Sequence, residues 1–365
     1  MTPARVFNGK NVVVTGHTGF KGSWLAAWLK SLGAKVVGIA LDPPSDPSHF
    51  SAARLGDGMT DLRIDIRERS ALQSAIVSAQ PDFLFHLAAQ SLVRRSYAEP
   101  IETWQTNVLG TLNVLEALRA LDKPCAAVIV TSDKCYDNVE WVWGYRETDA
   151  MGGPDPYSAS KGAAELAIRS YIKSYFSKAT SQVRIASARA GNVIGGGDWA
   201  ADRIVPDCVR AWSVNQEVEL RNPKATRPWQ HVLEPLSGYL NLAMALTQRQ
   251  DLHGEPFNFG PPAEQNHSVL ELVQRMAVHW DQVRWRDASQ ASAGPYESGL
   301  LKLNCDKALH HLRWHAVMGF EDTVRMTAEW YRVYYQEPRQ IAATTNAHIA
   351  AYSAMAKQRG LAWAQ

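Results

Sequence analysis

The sequence Asn-Val-Val-Val-Thr-Gly-His-Thr-Gly-Phe-Lys-Gly, residues 11–22, joins a run of β-branched residues to a glycine-rich loop. The apolar run is typical of a strand that is buried on both faces. Residues 23–32 follow with apolar side chains at helical spacing. Strand, glycine loop and helix in this order predict the first unit of a doubly wound α/β sheet that binds a dinucleotide. A glycine turn that binds no ligand is the alternative.

Each glycine of the loop has its own expected role. Gly16 allows the tight turn, Gly19 lets the backbone approach a pyrophosphate, and Gly22 lets the helix pack closely on the strand. The first N–H groups of the helix then point at the phosphates. The side chains within the loop are expected to neighbour the phosphates or the ribose rather than to react: His17, Phe20 and Lys21.

Polar residues after the second and third predicted strands are candidates for contacts with the adenosine. Residues 35–41 form the second strand, and a carboxylate at its end would bind the ribose and favour NAD over NADP. Asp42 lies about 20 residues beyond the glycine loop, as that role requires, but the two prolines that follow can aim it elsewhere. Asp65 and Ile66 are candidates to flank the adenine, and a solvated turn aspartate is the alternative.

Two more predicted strands end where a ligand of the sheet would lie. Residues 83–89 form a buried strand whose small last residues, Ala88 and Ala89, leave room for the cofactor. Residues 128–130 form another, and ligands of open α/β sheets bind outside the carboxyl ends of the strands. Just past this end, a hydroxyl, a carboxylate and an amine stand in consecutive positions as catalytic candidates: Ser132, Asp133 and Lys134.

Tyr157 and Lys161 are four residues apart in a predicted helix, so both side chains lie on one helical face. Lowering the pKa of a tyrosine from about 10 to about 7 takes roughly 4 kcal/mol. One ammonium at about 5 Å supplies on the order of 3 kcal/mol at an effective dielectric near 20. A second positive charge, such as an oxidised nicotinamide ring, could supply the rest. Taken alone, the pair could also be a surface tyrosine and lysine at chance spacing.

Composition excludes several classes of protein. The chain has 365 residues, 46% of them hydrophobic, and a formal net charge of +2, which favours neither nucleic acid nor a membrane surface as partner. Its four cysteines show no metal-ligand spacing, so we expect no metal site and reduced thiols. The absence of a leader pattern and of a membrane-length apolar run predicts a cytoplasmic protein.

The second half of the chain predicts a smaller substrate-binding domain. A strand over 184–188 leads into a glycine-rich loop that contains Asn192, and a basic, proline-rich loop that contains Arg227 follows. Basic residues beside an aromatic suit a substrate with phosphates and a ring, and a solvated basic loop is the alternative. We therefore expect a Rossmann-like doubly wound parallel sheet with an interleaved C-terminal domain. The expected bounds are 1–188 and 230–260 for NAD binding, 189–229 and 261–340 for the cap, and 341–365 for a tail.

With the glycine loop, the strand-end triplet and the Tyr157/Lys161 pair together, the chain resembles the extended short-chain dehydrogenase/reductases that act on nucleotide sugars. The resemblance extends from about Asn8 to Tyr335. Within that family the chain is most similar to the 4,6-dehydratases that act on CDP-glucose. The segments that carry this closer resemblance are Thr15–Trp24, Leu41–Pro44, Thr131–Tyr136 and Gly299–Leu303.

The resemblance implies oxidation of a sugar at C4, loss of water across C5 and C6, and return of the hydride to C6, with NAD as cofactor and deoxysugars of lipopolysaccharide O-antigen as the purpose. It implies Tyr157 as base and Lys161 as the cation that lowers its pKa. It further implies Ser132 as a hydrogen-bond donor to the C4 oxygen, Asp133 as the acid at C6, and Lys134 as the C5 base or an enolate-stabilising cation. Expected substrate contacts are Gln90, Asn192, Arg227 and Lys302.

The resemblance is incomplete at two places. The ribose-binding acid of many relatives stands where this chain has Ala40, and the arginine that binds the diphosphate in related dTDP-glucose dehydratases is missing near Leu300. Helices 107–121 and 157–171 are candidates for a homodimer or homotetramer interface, with internal packing as the alternative. A dehydratase for another nucleotide sugar, a 4-epimerase and a non-catalytic NAD-binding sensor are the alternative functions.

Overall fold

The structure of the protein is a computed structural model that describes residues 2–177, 181–281, 283–289 and 300–365. The sheet strands within these residues are β1 Asn11–Thr15, β2 Lys35–Ala40, β3 Thr60–Arg63, β4 Phe83–His86, β5 Cys125–Val130, β6 Val183–Ala190, β7 Val193–Ile194, β8 Val218–Leu220, β9 Thr226–Arg227, β10 Gln230–His231, β11 Pro256–Phe259, β12 His267–Ser268 and β13 Trp285–Asp287. Seven of them form one parallel sheet in the order β11-β6-β5-β4-β1-β2-β3. The doubly wound parallel fold predicted from the sequence is confirmed.

Helices cover both faces of this sheet. The helices of the described residues are α1 Pro3–Phe7, α2 Phe20–Ser31, α3 His49–Ala52, α4 Arg69–Ala79, α5 Val93–Ala98, α6 Pro100–Trp104, α7 Gly110–Arg119, α8 Pro156–Tyr171, α9 Ile204–Ser213, α10 Leu233–Leu246, α11 Val269–Ala277, α12 Asp306–Leu312, α13 Phe320–Gln336 and α14 Ile341–Gln358. A π-helical turn, Gln105–Leu109, joins α6 to α7. None of the helices within these residues is long and apolar enough to span a membrane.

Strand β1 shows why the sheet lies in the interior. Val12 and Val14 face one side, in the core that α2 and α10 close, whereas Val13 faces the other side, in the core of α4 and α7. Side chains alternate across a strand, so a strand covered on both faces needs an unbroken apolar run. The chain leaves β1 towards β2 and β3 and then returns to β4 on the other side. This reversal between β1 and β4 makes a crevice at the carboxyl ends of the strands, where ligands of such sheets bind.

The chain beyond β6 alternates between the sheet and a smaller unit above the crevice. The pairs β7–β10, β8–β13 and β9–β12 belong to the smaller unit, together with α9 and α11. Helix α10 packs on β5 and β6, and β11 pairs with β6 at the edge of the sheet. The last part of the chain, expected to be a tail, forms α14, which packs on α2. The hydroxyl of Tyr352 on α14 donates a 2.7 Å hydrogen bond to the buried carboxylate of Glu234 on α10.

Candidate active site

A cavity of about 1170 Å³ lies at the carboxyl ends of the sheet strands and beneath the smaller unit. The loops after β1, β2, β3, β4, β5 and β6 all contribute to its walls, and the segments around α9 and β8 form its roof. The cavity therefore combines the crevice at the β1/β4 reversal with a wall from the second half of the chain. Such a volume is that of a small-molecule site rather than of a packing defect.

The glycine loop has the form that a dinucleotide requires. Gly16 has φ +76°, and a Cβ there would lie 2.6 Å from the backbone N of Ala88. A Cβ on Gly22 would lie 2.0 Å from the carbonyl oxygen of Gly16, so α2 approaches β1 closely only because this residue is glycine. Gly19 precedes α2 and lines the cavity, which directs the first N–H groups of α2 at the space where a diphosphate would lie. These residues fit a dinucleotide.

The loop side chains differ from one another in position. Phe20 and Lys21 line the cavity, and burial lowers the pKa of Lys21 to about 8 although Asp133 raises it. The side chain of His17 is not among the groups that line the cavity. It is fully buried, its Nε2 lies 2.8 Å from Oδ1 of Asp61, and its ring fills the space above Gly38. The ring of His17 therefore packs against β2 and faces away from the cavity, and a contact of this residue with the phosphates or ribose stays a prediction.

The candidates for the adenosine lie at one end of the cavity. Asp42 lines the rim, but its side chain is 91% exposed and its Oδ1 is 3.7 Å from Nε of Arg63. Asp65 also lines the cavity and accepts two short hydrogen bonds from the guanidinium of Arg67. Ile66, Ala88 and Ala89 complete this wall. The structure brings these residues together, with the carboxylate of Asp42 turned largely to solvent.

A short 3₁₀ turn, Asp133–Cys135, lies just past the end of β5, and Ser132 caps it. The hydroxyl of Ser132 donates a 3.0 Å hydrogen bond to Oδ1 of Asp133 and accepts one of 3.2 Å from the backbone N–H of Lys134. All three line the cavity. Burial raises the pKa of Asp133, even though Lys134, Ser132 and Lys21 oppose this shift. A carboxyl group in this environment can hold a proton and act as an acid.

Helix α8 presents Tyr157 and Lys161 to the same cavity, as their spacing predicts. The helix begins sharply because Asp155 caps it, accepting a 2.9 Å hydrogen bond from the backbone N–H of Ser158. Both side chains are buried, and Nζ of Lys161 lies 6.0 Å from the centre of the Tyr157 ring. Burial raises the pKa of Tyr157 to about 12, although a hydrogen bond with Ser132 lowers it, and burial lowers the pKa of Lys161 to about 8.

Burial is the largest effect on the pKa of Tyr157, and the spacing of Tyr157 and Lys161 does not reveal it. The phenol in the structure has lost the hydration that an exposed tyrosine keeps. Desolvation disfavours the phenolate more than the cations of the protein favour it. With the protein groups alone, Tyr157 is a neutral phenol at physiological pH.

The four candidates for substrate contacts do not share one environment. Asn192 and Arg227 line the cavity wall that the second half of the chain provides. Gln90 also lines it, but its amide group bonds to Leu92 O and Thr103 within its own loop. Lys302 does not line the cavity: its carbonyl oxygen accepts a hydrogen bond from the Tyr145 N–H, and the neighbouring Leu301 reaches the wall. A contact of Lys302 with the substrate stays a prediction. Gly299, part of a segment that carries the resemblance, lies outside the described residues.

One residue of the site carried no signal in the sequence. Arg203, just before α9, lines the cavity, and its Nη1 donates a 2.7 Å hydrogen bond to Oδ2 of Asp198. Its charge lowers the pKa of Tyr157 and that of Lys21. Nothing in the spacing of Arg203 relates it to Tyr157, 46 positions earlier in the chain, because the smaller unit alone brings the two together. It is the clearest functional candidate that the sequence argument missed.

Comparison with known proteins gives a consistent picture. The profile of the GDP-mannose 4,6 dehydratase family matches residues 13–327. The CDP-glucose 4,6-dehydratase of Salmonella typhimurium strain LT2 is 48% identical over 338 residues, which cover 92% of this chain and 94% of that protein.

Two solved structures illustrate the similarity in fold. The dTDP-glucose 4,6-dehydratase from Bacillus anthracis str. Ames, in complex with NAD, matches with a TM-score of 0.72 and 19% identity, over 90% of this chain and 98% of that one. A UDP-glucose-4-epimerase from Stenotrophomonas maltophila, with bound NAD and formylated UDP-arabinopyranose, gives 0.74 and 22%, over 90% and 99%. At these identities, both structures support the architecture alone.

The glycine loop can be tested by one methyl group. In Gly22→Ala the new Cβ would clash with the Gly16 carbonyl oxygen, so α2 must move. Its first N–H groups would then no longer point at the diphosphate. We expect NAD affinity, measured by calorimetry, to fall by at least about tenfold, roughly 1.4 kcal/mol. Gly319→Ala is the matched control, since a Cβ there meets no atom within 4 Å. Unchanged NAD affinity in folded Gly22→Ala, judged by its melting curve, would contradict this assignment of the loop.

Proposed function

This chain belongs to the GDP-mannose 4,6 dehydratase family, and from that membership we propose that it catalyses the NAD-dependent 4,6-dehydration of CDP-glucose to CDP-4-dehydro-6-deoxyglucose. The observation that carries the proposal is the meeting of two sets of groups in one cavity. Tyr157 and Ser132 suit the oxidation of an alcohol, and Asp133 and Lys134 suit the elimination of water. Identity of 48% to a CDP-glucose 4,6-dehydratase over nearly the whole chain supports the choice of substrate.

The protein has a place for each part of the cofactor. When bound, NAD supplies the acceptor and later the donor of the C4 hydride and, in its oxidised form, a positive charge beside Tyr157. The amino terminus of α2 would hold the diphosphate, Asp42, Asp65 and Ile66 would flank the adenosine, and Lys161 would hold the nicotinamide ribose. We assign residues 1–188 and 230–260 to this binding, and residues 189–229 and 261–340 to the nucleotide sugar.

Oxidation at C4 requires removal of the hydroxyl proton. Tyr157, as phenolate, would accept this proton, and the hydroxyl of Ser132 would hydrogen-bond to the same sugar oxygen. Nζ of Lys161 lies 6.0 Å from the centre of the phenol ring, and the charge of Arg203 lowers the pKa of Tyr157. Because burial excludes water from these groups, a charge brought next to Tyr157 acts on it through a low dielectric and changes its pKa strongly.

Elimination follows oxidation, because the hydrogen on C5 becomes acidic only when a ketone at C4 can accept the negative charge. Burial raises the pKa of Asp133, so this carboxyl group can keep a proton and donate it to the departing C6 hydroxyl. Lys134, the next residue, is the candidate base at C5. As a cation it would instead stabilise the enolate.

Cations in the roof of the cavity suit the diphosphate of the nucleotide sugar. Arg203, Arg221 and Arg227 all line this wall, and Asn192 lies between the sheet and the smaller unit. Guanidinium groups bind phosphate oxygens with two parallel hydrogen bonds, which fixes orientation as well as affinity. The cytosine would lie beyond the diphosphate, against β8 and α9.

We further propose that the enzyme works in the cytoplasm and provides deoxysugars for lipopolysaccharide O-antigen. Cell fractionation would test the location, and loss of O-antigen in a deletion strain would test the pathway.

The proposal includes a homodimer or homotetramer that forms through a helical surface. Large apolar side chains are exposed along α6, the π-helical turn and α8: Ile101, Trp104, Leu109 and Leu166. A patch of this kind marks a protein interface in a soluble chain. Ile101→Lys places a charge in the patch, so we expect it to shift the sedimentation coefficient towards that of the monomer. A coefficient equal to that of wild type would place the interface elsewhere.

The reaction is tested by incubating the protein with CDP-glucose and NAD and measuring the 4-keto product by its absorbance in base. We expect turnover of CDP-glucose and, in Tyr157→Phe, a loss of kcat by at least about a thousandfold, because general base catalysis alone contributes roughly 10²–10⁴-fold. NAD binding should largely persist in this variant, since the Tyr157 hydroxyl would be one of many cofactor contacts and would meet the nicotinamide end. Retained turnover in Tyr157→Phe would identify another group as the base.

A panel of CDP-, dTDP-, UDP- and GDP-sugars assayed in parallel tests the choice of nucleotide. Running the reaction in deuterium oxide separates dehydration from 4-epimerisation, because only dehydration exchanges the hydrogen on C5. Deuterium at C5 of the product is the expected result. A folded, NAD-binding protein that turns over none of the four sugars would contradict the proposed function.

A further inference from the structure

A buried carboxylate lies one helical turn beyond Lys161 on α8. Glu165 is 5% exposed and accepts hydrogen bonds from three directions. The Thr131 hydroxyl donates one of 2.5 Å, the Ser187 hydroxyl one of 2.9 Å, and Arg189 two, of 2.9 Å from Nε and 2.8 Å from Nη2. No step of the proposed reaction uses this group. Its partners, however, lie just past the end of β5, next to Ser132, and on the neighbouring strand β6.

The partners of Glu165 hold the active-site elements together. Thr131 immediately precedes Ser132, so its bond to Glu165 ties the catalytic turn after β5 to α8. Arg189 is near the end of β6, and Gly191, two residues later, lies so close to Asp133 that a Cβ there would be 2.8 Å from Oδ2. The Glu165 carboxylate thus fixes the position of α8, which carries Tyr157, relative to the end of β5, which Asp133 follows.

The charge of Glu165 is held in place by a second buried group. Burial alone would raise the pKa of Glu165, but the Arg189 guanidinium and the hydrogen bonds lower it below the usual range. Arg189 is fully buried as well, and its Nη1 donates a 2.7 Å hydrogen bond to the hydroxyl of Tyr136. That hydroxyl in turn donates to Oδ1 of Asn258 on β11. Glu165 is therefore a permanent anion inside the protein.

Glu165 differs in charge from the other groups near Lys161. Titratable groups reach Lys161 from four places in the described chain: Tyr157 and Glu165 on α8, Cys135 after β5, His86 on β4, and Lys21 on α2. Burial keeps the thiol of Cys135 and the ring of His86 neutral, because it raises the pKa of Cys135 and lowers that of His86 to about 3. Lys21 is a cation. Within this set, Glu165 alone brings a negative charge at neutral pH.

We propose that Glu165 is a positioning residue of the active site: its carboxylate joins the strand end at Thr131 to α8 and supplies the negative charge that keeps Lys161 an ammonium. The effect on catalysis rests on the proposed function, whereas the contacts of Glu165 do not depend on it. Burial lowers the pKa of Lys161, and Cys135 and Glu165 oppose this shift. Since burial raises the pKa of the Cys135 thiol and keeps it protonated, the opposing charge is that of Glu165. Without the Glu165 charge, Lys161 loses its proton at lower pH and can no longer favour the Tyr157 phenolate.

The charge of Lys161 can be measured without substrate. Full-length protein labelled with ¹³Cε-lysine gives a resonance for Lys161, assigned by its loss in Lys161→Arg, whose chemical shift reports protonation across a pH titration. We expect the midpoint of Lys161 to fall in Glu165→Gln by at least about one pH unit, a tenfold change in the dissociation constant. Ser187→Ala is the matched control: it removes one hydrogen bond to the same carboxylate and leaves the charge, so the midpoint should stay at the wild-type value.

A loss of folding would not hide the result. Glu165→Gln leaves the Arg189 charge buried without its partner, which destabilises the protein. The double variant Glu165→Gln/Arg189→Met removes both charges and should recover much of the melting temperature. Its Lys161 midpoint should lie between those of Glu165→Gln and wild type, because the Arg189 cation is lost as well. In the dehydration assay, the alkaline limb of the kcat profile should move to lower pH by the same amount as the Lys161 midpoint in each variant.

An unchanged Lys161 midpoint in folded Glu165→Gln and in the double variant would overturn the proposal, because Glu165 would then be structural only. Failure of the proposed function gives a different result. In that case wild type would not turn over CDP-glucose, while the Lys161 midpoint would still fall in both variants.

Discussion

In the proposed reaction, Tyr157 must lose a proton in a place where its phenolate is poorly solvated, and the other proposed roles in the site depend on that constraint. Burial raises the pKa of the phenol to about 12, so Tyr157 is protonated in the protein without cofactor. The proposed reaction therefore requires positive charge near the ring. Since the pocket is shielded from water, each charge placed there has a large effect.

The fold brings charges to this point from parts of the chain that are far apart in sequence. Lys161 comes from α8, Lys21 from the first turn of α2, and Arg203 from the segment before α9. The same burial that opposes the phenolate favours a protonated Asp133, so one environment suits both a base that must be activated and an acid that must keep its proton. Glu165 and Arg189 lie behind this cluster and fix the two elements that carry it.

The sequence predicted those parts of the site whose geometry is local. Glycines 16, 19 and 22, the triplet after β5, and Tyr157 with Lys161 each lie within one loop, turn or helix, so spacing alone locates them. It did not predict that the His17 ring packs against β2, or that Leu301 and not Lys302 reaches the cavity wall, because only tertiary packing decides both. Arg203 is 46 residues from Tyr157, and Arg189, the ion partner of Glu165, is 24 residues from it on another element. Spacing in the sequence carries no information about either pair. Desolvation of Tyr157 was missed for the same reason.

The ionisation of Tyr157 itself is the most direct test, by near-ultraviolet difference titration of wild type against Tyr157→Phe with and without saturating NAD. The account predicts no Tyr157 phenolate in the protein alone across the pH range in which it stays folded, because burial holds the pKa near about 12. With NAD bound, the difference signal should appear several pH units lower, near neutrality. A Tyr157 signal that is the same in both titrations would contradict the account.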